Sequence, residues 1–145
     1  SYDLMVFEPS AAPRTPVEFF AWYEQQAEWS EDHSYDSHAV CGLQLASWFL
    51  EMAQTFPPLN GPLATEEESP RLTDYSIGRS VIYAAFGWSQ VEPSTELMTA
   101  LARKHGVGFF NPSSMEGPVQ FPDGLSFNAN PPFNKASGKP WWKFW

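Results

Sequence analysis

Apolar residues recur at helical spacing in three segments of the chain, and we predict helices over residues 16–29, 37–56 and 93–105. The first segment starts with Pro16 directly after Thr15, a pair that is typical of a helix N-terminus. The second segment is apolar around much of its circumference, which predicts that it is buried on most sides. The third segment ends in basic residues, which the helix dipole favours at a C-terminus.

Short runs rich in β-branched and aromatic residues lie before, between and after these helices. We predict strands over residues 2–7, 72–77, 80–88, 107–110 and 119–121. The order of elements is then β-α-α-β-β-α-β-β, in which strands and helices do not alternate regularly. Such an order favours an antiparallel sheet over a parallel one. The sequence therefore predicts an α+β fold, with a mainly antiparallel sheet of about four to five strands and three helices packed on one face.

The chain has 145 residues, which is the usual length of one domain. We predict a single α+β domain over residues 1–122. Proline and glycine punctuate residues 123–145, which end in Trp-Trp-Lys-Phe-Trp. We expect this irregular aromatic tail to pack against the domain, because so much exposed indole surface would promote aggregation.

The charge of the chain limits the classes of partner that it can bind. The net charge is −9, and it is unevenly distributed. Residues 1–70 hold twelve acidic residues and one basic residue, whereas residues 71–145 hold five acidic and seven basic residues. A negative field of this kind repels nucleic acids and anionic membranes and attracts basic proteins. An acidic surface also keeps a protein soluble, so a simple solubility role stays open.

Cys41 is the only cysteine, so no disulfide can form within the chain. No signal-peptide pattern and no apolar run of about twenty residues occurs, and we expect a cytoplasmic protein. Cys41 falls on the apolar face of the second helix, where a cysteine usually packs as a small hydrophobic residue. No Walker A, G-x-S-x-G or C-x-x-C pattern is present, so we expect no catalytic residue and no cofactor.

A polar segment between the first two helices offers the best alternative as an enzyme or small-ligand site. It contains His33, Asp36 and His38, with Tyr35 beside them. These residue types can bind a metal ion, but their spacing matches no H-E-x-x-H or EF-hand pattern. We favour a structural role for this segment and keep a metal-dependent enzyme as an alternative.

The first predicted helix carries a second aromatic face besides its core face. Trp22 and Trp29 are seven residues apart and share that face on a continuous helix. One contact with the domain core explains only one of the two faces. We therefore predict a partner-binding stripe in which acidic side chains attract a basic partner and the two tryptophans anchor it. Its residues are Glu18, Trp22, Gln25, Trp29, Glu31 and Asp32.

Four segments of the chain carry a resemblance to known proteins: YDLMVFEP at 2–9, WSEDHSYD at 29–36, DYSIGRSVIYAAFGWS at 74–89 and LARKHGVGFFNPSS at 101–114. They resemble a family of small uncharacterised bacterial proteins, over most of residues 2–122. The family is loosely associated with toxin–immunity and secretion-system gene neighbourhoods, and the resemblance assigns no catalytic residue.

Together these observations favour an immunity-type protein that neutralises a bacterial toxin by binding it. Immunity proteins are small, often acidic, and rich in aromatic anchors, which fits the charge and the stripe described above. A structural homo-oligomer is the third possibility, in which the aromatic stripe of one copy pairs with that of another.

Overall fold

A computed structural model describes residues 1–129 of the protein. The described chain forms three helices and six strands, joined by loops that include two short 3-10 turns. In chain order the elements are β1 (Tyr2–Phe7), α1 (Pro16–Gln26), α2 (Leu43–Thr55), β2 (Asp74–Ile77), β3 (Val81–Phe86), α3 (Val91–His105), β4 (Gly108–Phe110), β5 (Pro118–Gln120) and β6 (Ser126–Asn128).

The six strands form one antiparallel sheet in the order β2-β3-β1-β4-β5-β6. Strand β1 lies between β3 and β4, and its register places Tyr2 opposite Phe86 and Phe7 opposite both Val81 and Gly108. The predicted α+β class with a mainly antiparallel sheet and three helices is therefore confirmed. The helices of residues 1–129 are all too short or too polar to cross a lipid bilayer.

The helices cover both faces of the sheet, so the prediction that all three pack on one face is wrong. Alternate residues of β1 point to opposite sides. Leu4 and Val6 pack in the core beneath α2 and α3, whereas Met5 and Phe7 pack in a second core beneath α1. All six residues of β1 are buried. Apart from Asp3 these residues are apolar or aromatic, and a strand without polar alternation is typical of one that is covered on both faces.

The core beneath α2 and α3 is the larger of the two. Its centre is Trp48, which is fully buried and donates its indole N–H to the carbonyl oxygen of Met98 across 3.4 Å. Tyr75 donates its hydroxyl to the carbonyl oxygen of Phe56 across 2.7 Å, which ties β2 to the end of α2. Polar atoms of large aromatic side chains are thus satisfied inside this core, as burial requires.

The core beneath α1 is mainly aromatic. The ring of Phe19 lies 5.2 Å from the rings of both Phe7 and Phe110, with edge-to-face geometry. Tyr23, one turn further along α1, stacks edge-on against Phe110 at 4.9 Å. Such pairs add about 0.5–1.5 kcal/mol each beyond the burial of their surface. These ring contacts hold one side of α1 against the sheet. The opposite side of α1 therefore faces the solvent.

The sheet extends beyond residue 122, where the sequence predicted an irregular tail. Val119 of β5 pairs with Phe127 of β6, and Phe127 packs against the core beneath α1. The first part of the segment 123–145 therefore belongs to the sheet, and the described sheet has one strand more than predicted. The predicted packing of the terminal tryptophans concerns residues 130–145, which lie outside the described part of the chain.

Strand β2 lies at one edge of the sheet, and two loops cover that edge. Ile77 donates its backbone N–H to the carbonyl oxygen of Tyr35 across 2.8 Å, and Thr73 donates to the carbonyl of Pro57 across 2.9 Å. The two loops meet where the backbone of Gly61 packs on the carbonyl of Asp36. Covering an edge strand in this way prevents it from pairing with another chain.

Candidate functional site

The solvent side of α1 carries part of the predicted stripe. Glu18, Ala21 and Gln25 are exposed, at the three- and four-residue spacing that places them along one side of α1, and Glu28 is exposed in the turn that follows the end of α1 at Gln26. Helix α1 starts at Pro16, as predicted, and its opposite side is held in the aromatic core. Neither Glu18 nor Glu28 forms an ion pair with another described residue. This side of α1 therefore presents uncompensated negative charge.

Trp22 lies at the border between this exposed side and the core. Its ring is 5.9 Å from Phe7 and 5.6 Å from Phe19, so one part of the indole is buried. The remaining part is accessible, because Trp22 is only half-buried. On the helical wheel Trp22 lies next to Glu18 and Gln25. These three predicted residues are therefore brought together by α1.

Trp29 does not continue this stripe, and the prediction of one continuous helical stripe is wrong. Helix α1 ends at Gln26, and Trp29 adopts a left-handed backbone with φ 51°. Its indole turns toward the sheet and packs edge-on against Tyr35 at 5.2 Å and Tyr83 at 6.1 Å. The physical reason is that these aromatic contacts near the sheet replace the helical turn on which the seven-residue spacing depends.

Glu31 and Asp32 both bind the turn between β2 and β3. The carboxylate of Glu31 accepts a hydrogen bond from the backbone N–H of Arg79 at 3.0 Å and a second from the ring of His33. Only 25% of the Glu31 side chain is exposed, so it serves the fold more than a partner. Asp32 accepts from the Arg79 guanidinium at 2.6 Å, and this hydrogen bond lowers the pKa of Asp32. The Asp32 side chain remains 89% exposed.

The two halves of the predicted site lie at the same end of the sheet. Trp22 packs on Phe7, and Phe7 is paired with Val81 at the start of β3. Asp32 reaches Arg79, two residues before Val81. The structure thus brings the predicted residues to one end of the sheet, although on two elements instead of one helix.

The residues of the alternative metal site do not converge. His33 contacts Glu31 and Ser34, and Asp36 accepts a hydrogen bond from the hydroxyl of Ser34 at 2.8 Å. His38 stacks on Phe49, with ring centroids 5.5 Å apart. Among residues 1–129, no group of three or more His, Cys, Asp and Glu side chains is placed to hold a metal ion. The structure therefore contradicts a metal site formed by His33, Asp36 and His38.

The thiol of Cys41 is half-buried and packs against the core beneath α2 and α3. Burial raises the pKa of Cys41 from 9.0 to about 11. A thiolate is needed for nucleophilic attack, so this environment disfavours a catalytic role.

A separate open groove of about 330 Å³ lies on the same face of the sheet, and it contains none of the predicted site residues. It is lined by Thr55, Phe56, Arg71, Pro93, Glu96, Leu97 and Ala100.

Two residues of this region were missed by the sequence analysis. Glu28 is exposed in the turn directly after α1, and its place between the acidic residues Glu24 and Glu31 was a usable signal. Arg79 neutralises Asp32 from the turn between β2 and β3. No local sequence pattern predicts the contact between Arg79 and Asp32, because the two residues meet only when the loop after α1 folds onto the sheet.

Comparisons of the chain with protein-family models, with curated proteins and with solved structures found no match.

Proposed function

We propose that this protein is an immunity-type inhibitor that binds a basic toxin domain in the cytoplasm through the solvent side of α1. The observation that carries the proposal is the negative charge of Glu18 and Glu28, which form no ion pair with another residue of 1–129, beside the half-buried Trp22. The resemblance of the sequence to bacterial proteins associated with toxin–immunity neighbourhoods supports it. We define the docking surface as Glu18, Trp22, Gln25, Glu28 and Asp32.

The charges of the docking surface suit the first encounter with a basic partner. Exposed acids without internal ion pairs keep their full attraction for external cations, and such steering accelerates association by about 10 to 1,000-fold. Asp32 contributes less, because Arg79 already neutralises it. We therefore expect Glu18 and Glu28 to contribute most to the salt dependence of binding.

Trp22 suits the anchoring of the complex. Its buried half is fixed by Phe7 and Phe19, so little side-chain freedom is lost when a partner covers the other half. Tryptophans of this kind are frequent among the residues whose loss costs about 2 kcal/mol or more of binding energy. A partner that covers Trp22 needs an apolar pocket surrounded by basic side chains. Binding of this type requires no cofactor.

The proposal is tested by affinity capture from the native organism with three forms of the protein. The first is the wild type, and the second carries Glu18→Lys and Glu28→Lys. The third carries Glu92→Lys and Glu96→Lys, which make the same change of charge at exposed positions of α3. Glu18 and Glu92 both lie in the first turn of their helices, so these two substitutions remove the same favourable interaction with a helix N-terminus.

We expect a basic protein to be captured by the wild type and by the α3 variant at low salt, and to be lost with the α1 variant. Expression of the captured protein alone should arrest growth, and co-expression of the wild type should restore it. A captured protein that is harmless when expressed alone would exclude an inhibitor function. Equal capture by both variants would exclude the docking surface on α1. Light scattering of the wild type detects self-association, which would instead favour a homo-oligomer.

A further inference from the structure

The segment from Trp29 to Asp36, here called the clasp, is folded around one tyrosine. The hydroxyl of Tyr35 accepts the backbone N–H of Glu31 at 2.7 Å, which closes the segment into a loop. The ring of Trp29 lies 5.2 Å from that of Tyr35, and the ring of His33 lies 4.8 Å from it. The clasp thus has a small internal core of three rings.

Besides the Arg79–Asp32 ion pair and the contact of Trp29 with Tyr83, the clasp is joined to the sheet by hydrogen bonds from two backbone N–H groups and by one close approach. Ile77 donates its N–H to the carbonyl of Tyr35 at 2.8 Å, and Arg79 donates its N–H to the carboxylate of Glu31 at 3.0 Å. Gly78 lies directly beside that carboxylate, where any side chain would come within 3.4 Å of its oxygens. The carboxylate of Glu31 is therefore the link between the clasp and the turn from β2 to β3.

His33 makes two hydrogen bonds that together define its protonation state. Nδ1 lies 2.7 Å from the carbonyl oxygen of Ser34, and Nε2 contacts the carboxylate of Glu31. A carbonyl oxygen and an ionised carboxylate can only accept hydrogen bonds, so both ring nitrogens must donate. A histidine that donates from both nitrogens is an imidazolium cation. Only 14% of the His33 side chain is exposed, so water cannot easily replace either acceptor.

The charged groups around His33 act in both directions. The carbonyl of Ser34 and the carboxylate of Glu31 raise the pKa of His33, whereas desolvation and, to a smaller extent, the charge of Arg79 oppose them. Arg79 is itself paired with Asp32, which reduces its effect on the ring. Tyr35 contributes a neutral ring surface. The net direction is a raised pKa, in agreement with the geometry.

We propose that the clasp is a pH-sensitive latch, which is closed while His33 is an imidazolium and loosens when the ring loses a proton. A neutral ring can donate from only one nitrogen, so either Ser34 or Glu31 then faces a lone pair. A weaker hydrogen bond between His33 and Glu31 loosens the turn at Arg79, because Glu31 also binds the N–H of Arg79. The ring of His33 also packs on Tyr35, and Tyr35 contacts Trp29 and the edge of β2. The latch rests on contacts of the free protein, and its effect on a partner rests on the proposed function.

The sign of the pH dependence follows from linkage. A folded-state pKa above the unfolded value of 6.5 means that His33 stabilises the closed clasp fully below pH 6.5. This contribution is lost as the pH rises through the folded pKa. Each unit by which the folded pKa exceeds 6.5 changes the closing equilibrium by about tenfold. The clasp should therefore be most closed in mildly acidic solution.

The test is an NMR titration of the free wild-type protein, with His33→Gln and His38→Gln as variants. In the wild type, the indole N–H of Trp29 and the amide of Ile77 should shift with the same midpoint as the ring of His33. Hydrogen-exchange protection of the Ile77 amide, corrected for the intrinsic rate, should fall above that midpoint. Both responses should vanish in His33→Gln, whose side-chain amide donates to Glu31 without titrating, and persist in His38→Gln. Resonances of Trp29 and Ile77 that stay constant in the wild type would overturn the latch.

A second measurement connects the latch to binding and separates the two proposals. Capture of the partner by the wild type should weaken as the pH rises through the His33 midpoint, because a looser clasp orders Asp32 less well before binding. Capture by His33→Gln should not follow that midpoint. Identical pH profiles for the two forms would exclude regulation of the docking surface. If the latch titrates and no partner is captured, the proposed function fails and the latch stands.

Discussion

The hydroxyl of Tyr83 donates to the Oδ2 of Asp3 across 3.1 Å, beneath α1 and between two neighbouring strands. Asp3 is only 4% exposed, so its carboxylate depends on protein donors. Tyr83→Phe should lower the free energy of unfolding by about 1–3 kcal/mol, because it removes one of these donors from a buried acceptor. Urea denaturation followed by circular dichroism measures the change.

A double-mutant cycle with Asp3→Asn shows whether the loss belongs to this pair. If the bond between the two side chains matters, the double variant should be more stable than the sum of the single effects predicts, by about 0.5 kcal/mol or more. Strictly additive losses would mean that the effect of Tyr83→Phe does not come from its bond with Asp3.

Three tyrosines should remain un-ionised in the folded protein well above pH 10. Burial is the main cause that raises the pKa values of Tyr23, Tyr75 and Tyr83 above their ordinary value of 10.0. In the unfolded chain these phenols release their protons near pH 10, so the free energy of unfolding should decrease from that pH upward. Absorbance at 295 nm measures the phenolate directly. The three side chains should ionise only together with unfolding, and early ionisation of all tyrosines would contradict their burial.

Gly61 and Gly106 allow the cost of a backbone conformation to be separated from the cost of a collision. Both have a positive φ, at 90° and 68°. A methyl group at Gly106 meets nothing within 4 Å, whereas at Gly61 it would overlap the carbonyl oxygen of Asp36. Gly106→Ala should cost about 1–2 kcal/mol from its left-handed backbone. Gly61→Ala should cost about 1–3 kcal/mol more, because the two loops over β2 must separate.

Thermal unfolding measures both alanine variants under the same conditions. Equal melting temperatures would mean that the contact between the two loops contributes nothing to stability.

The thiol of Cys41 should react slowly in the folded protein. Its pKa is raised from 9.0 to about 11, which leaves about a hundredfold less thiolate near pH 8 than an ordinary cysteine has. The rate of reaction with a disulfide reagent such as DTNB should therefore rise by about a hundredfold when the protein is unfolded in urea. Comparable rates in the folded and unfolded protein would contradict the burial of the thiol.

The sequence predicted those elements whose signals are local. Pro16 after Thr15 marks the start of α1, and Trp48 lies on the buried face of α2, although Leu43 and Leu50 of the same helix are exposed and its burial on most sides was wrongly predicted. The end of α1 was not predictable in this way, because no glycine or proline follows Gln26 and the helical spacing continues formally to Trp29. The helix ends before Trp29 because Trp29 packs against Tyr35 and Tyr83, and this contact is visible only in the folded structure.

Long-range contacts account for the remaining differences. The position of α1 on the opposite face of the sheet depends on which strands pair, which a single sequence does not specify. The consecutive apolar residues from Leu4 to Phe7 were nevertheless a usable signal, since a strand covered on one face only would alternate with polar residues. Strand β6 is three residues long, and its pairing with β5 is too short to produce a pattern.

The position of β1 in the centre of the sheet also has a consequence for synthesis of the protein. Strand β1 is translated first among the described elements, but its partners β3 and β4 follow only after most of the chain. Until Phe86 has emerged from the ribosome, the apolar residues of β1 have neither of their neighbouring strands, and until Phe110 has emerged they have only β3. Contacts between residues so distant in sequence slow folding, and they prolong the exposure of apolar, aggregation-prone segments. A nascent chain of this protein should therefore depend on chaperones until residue 110 is available.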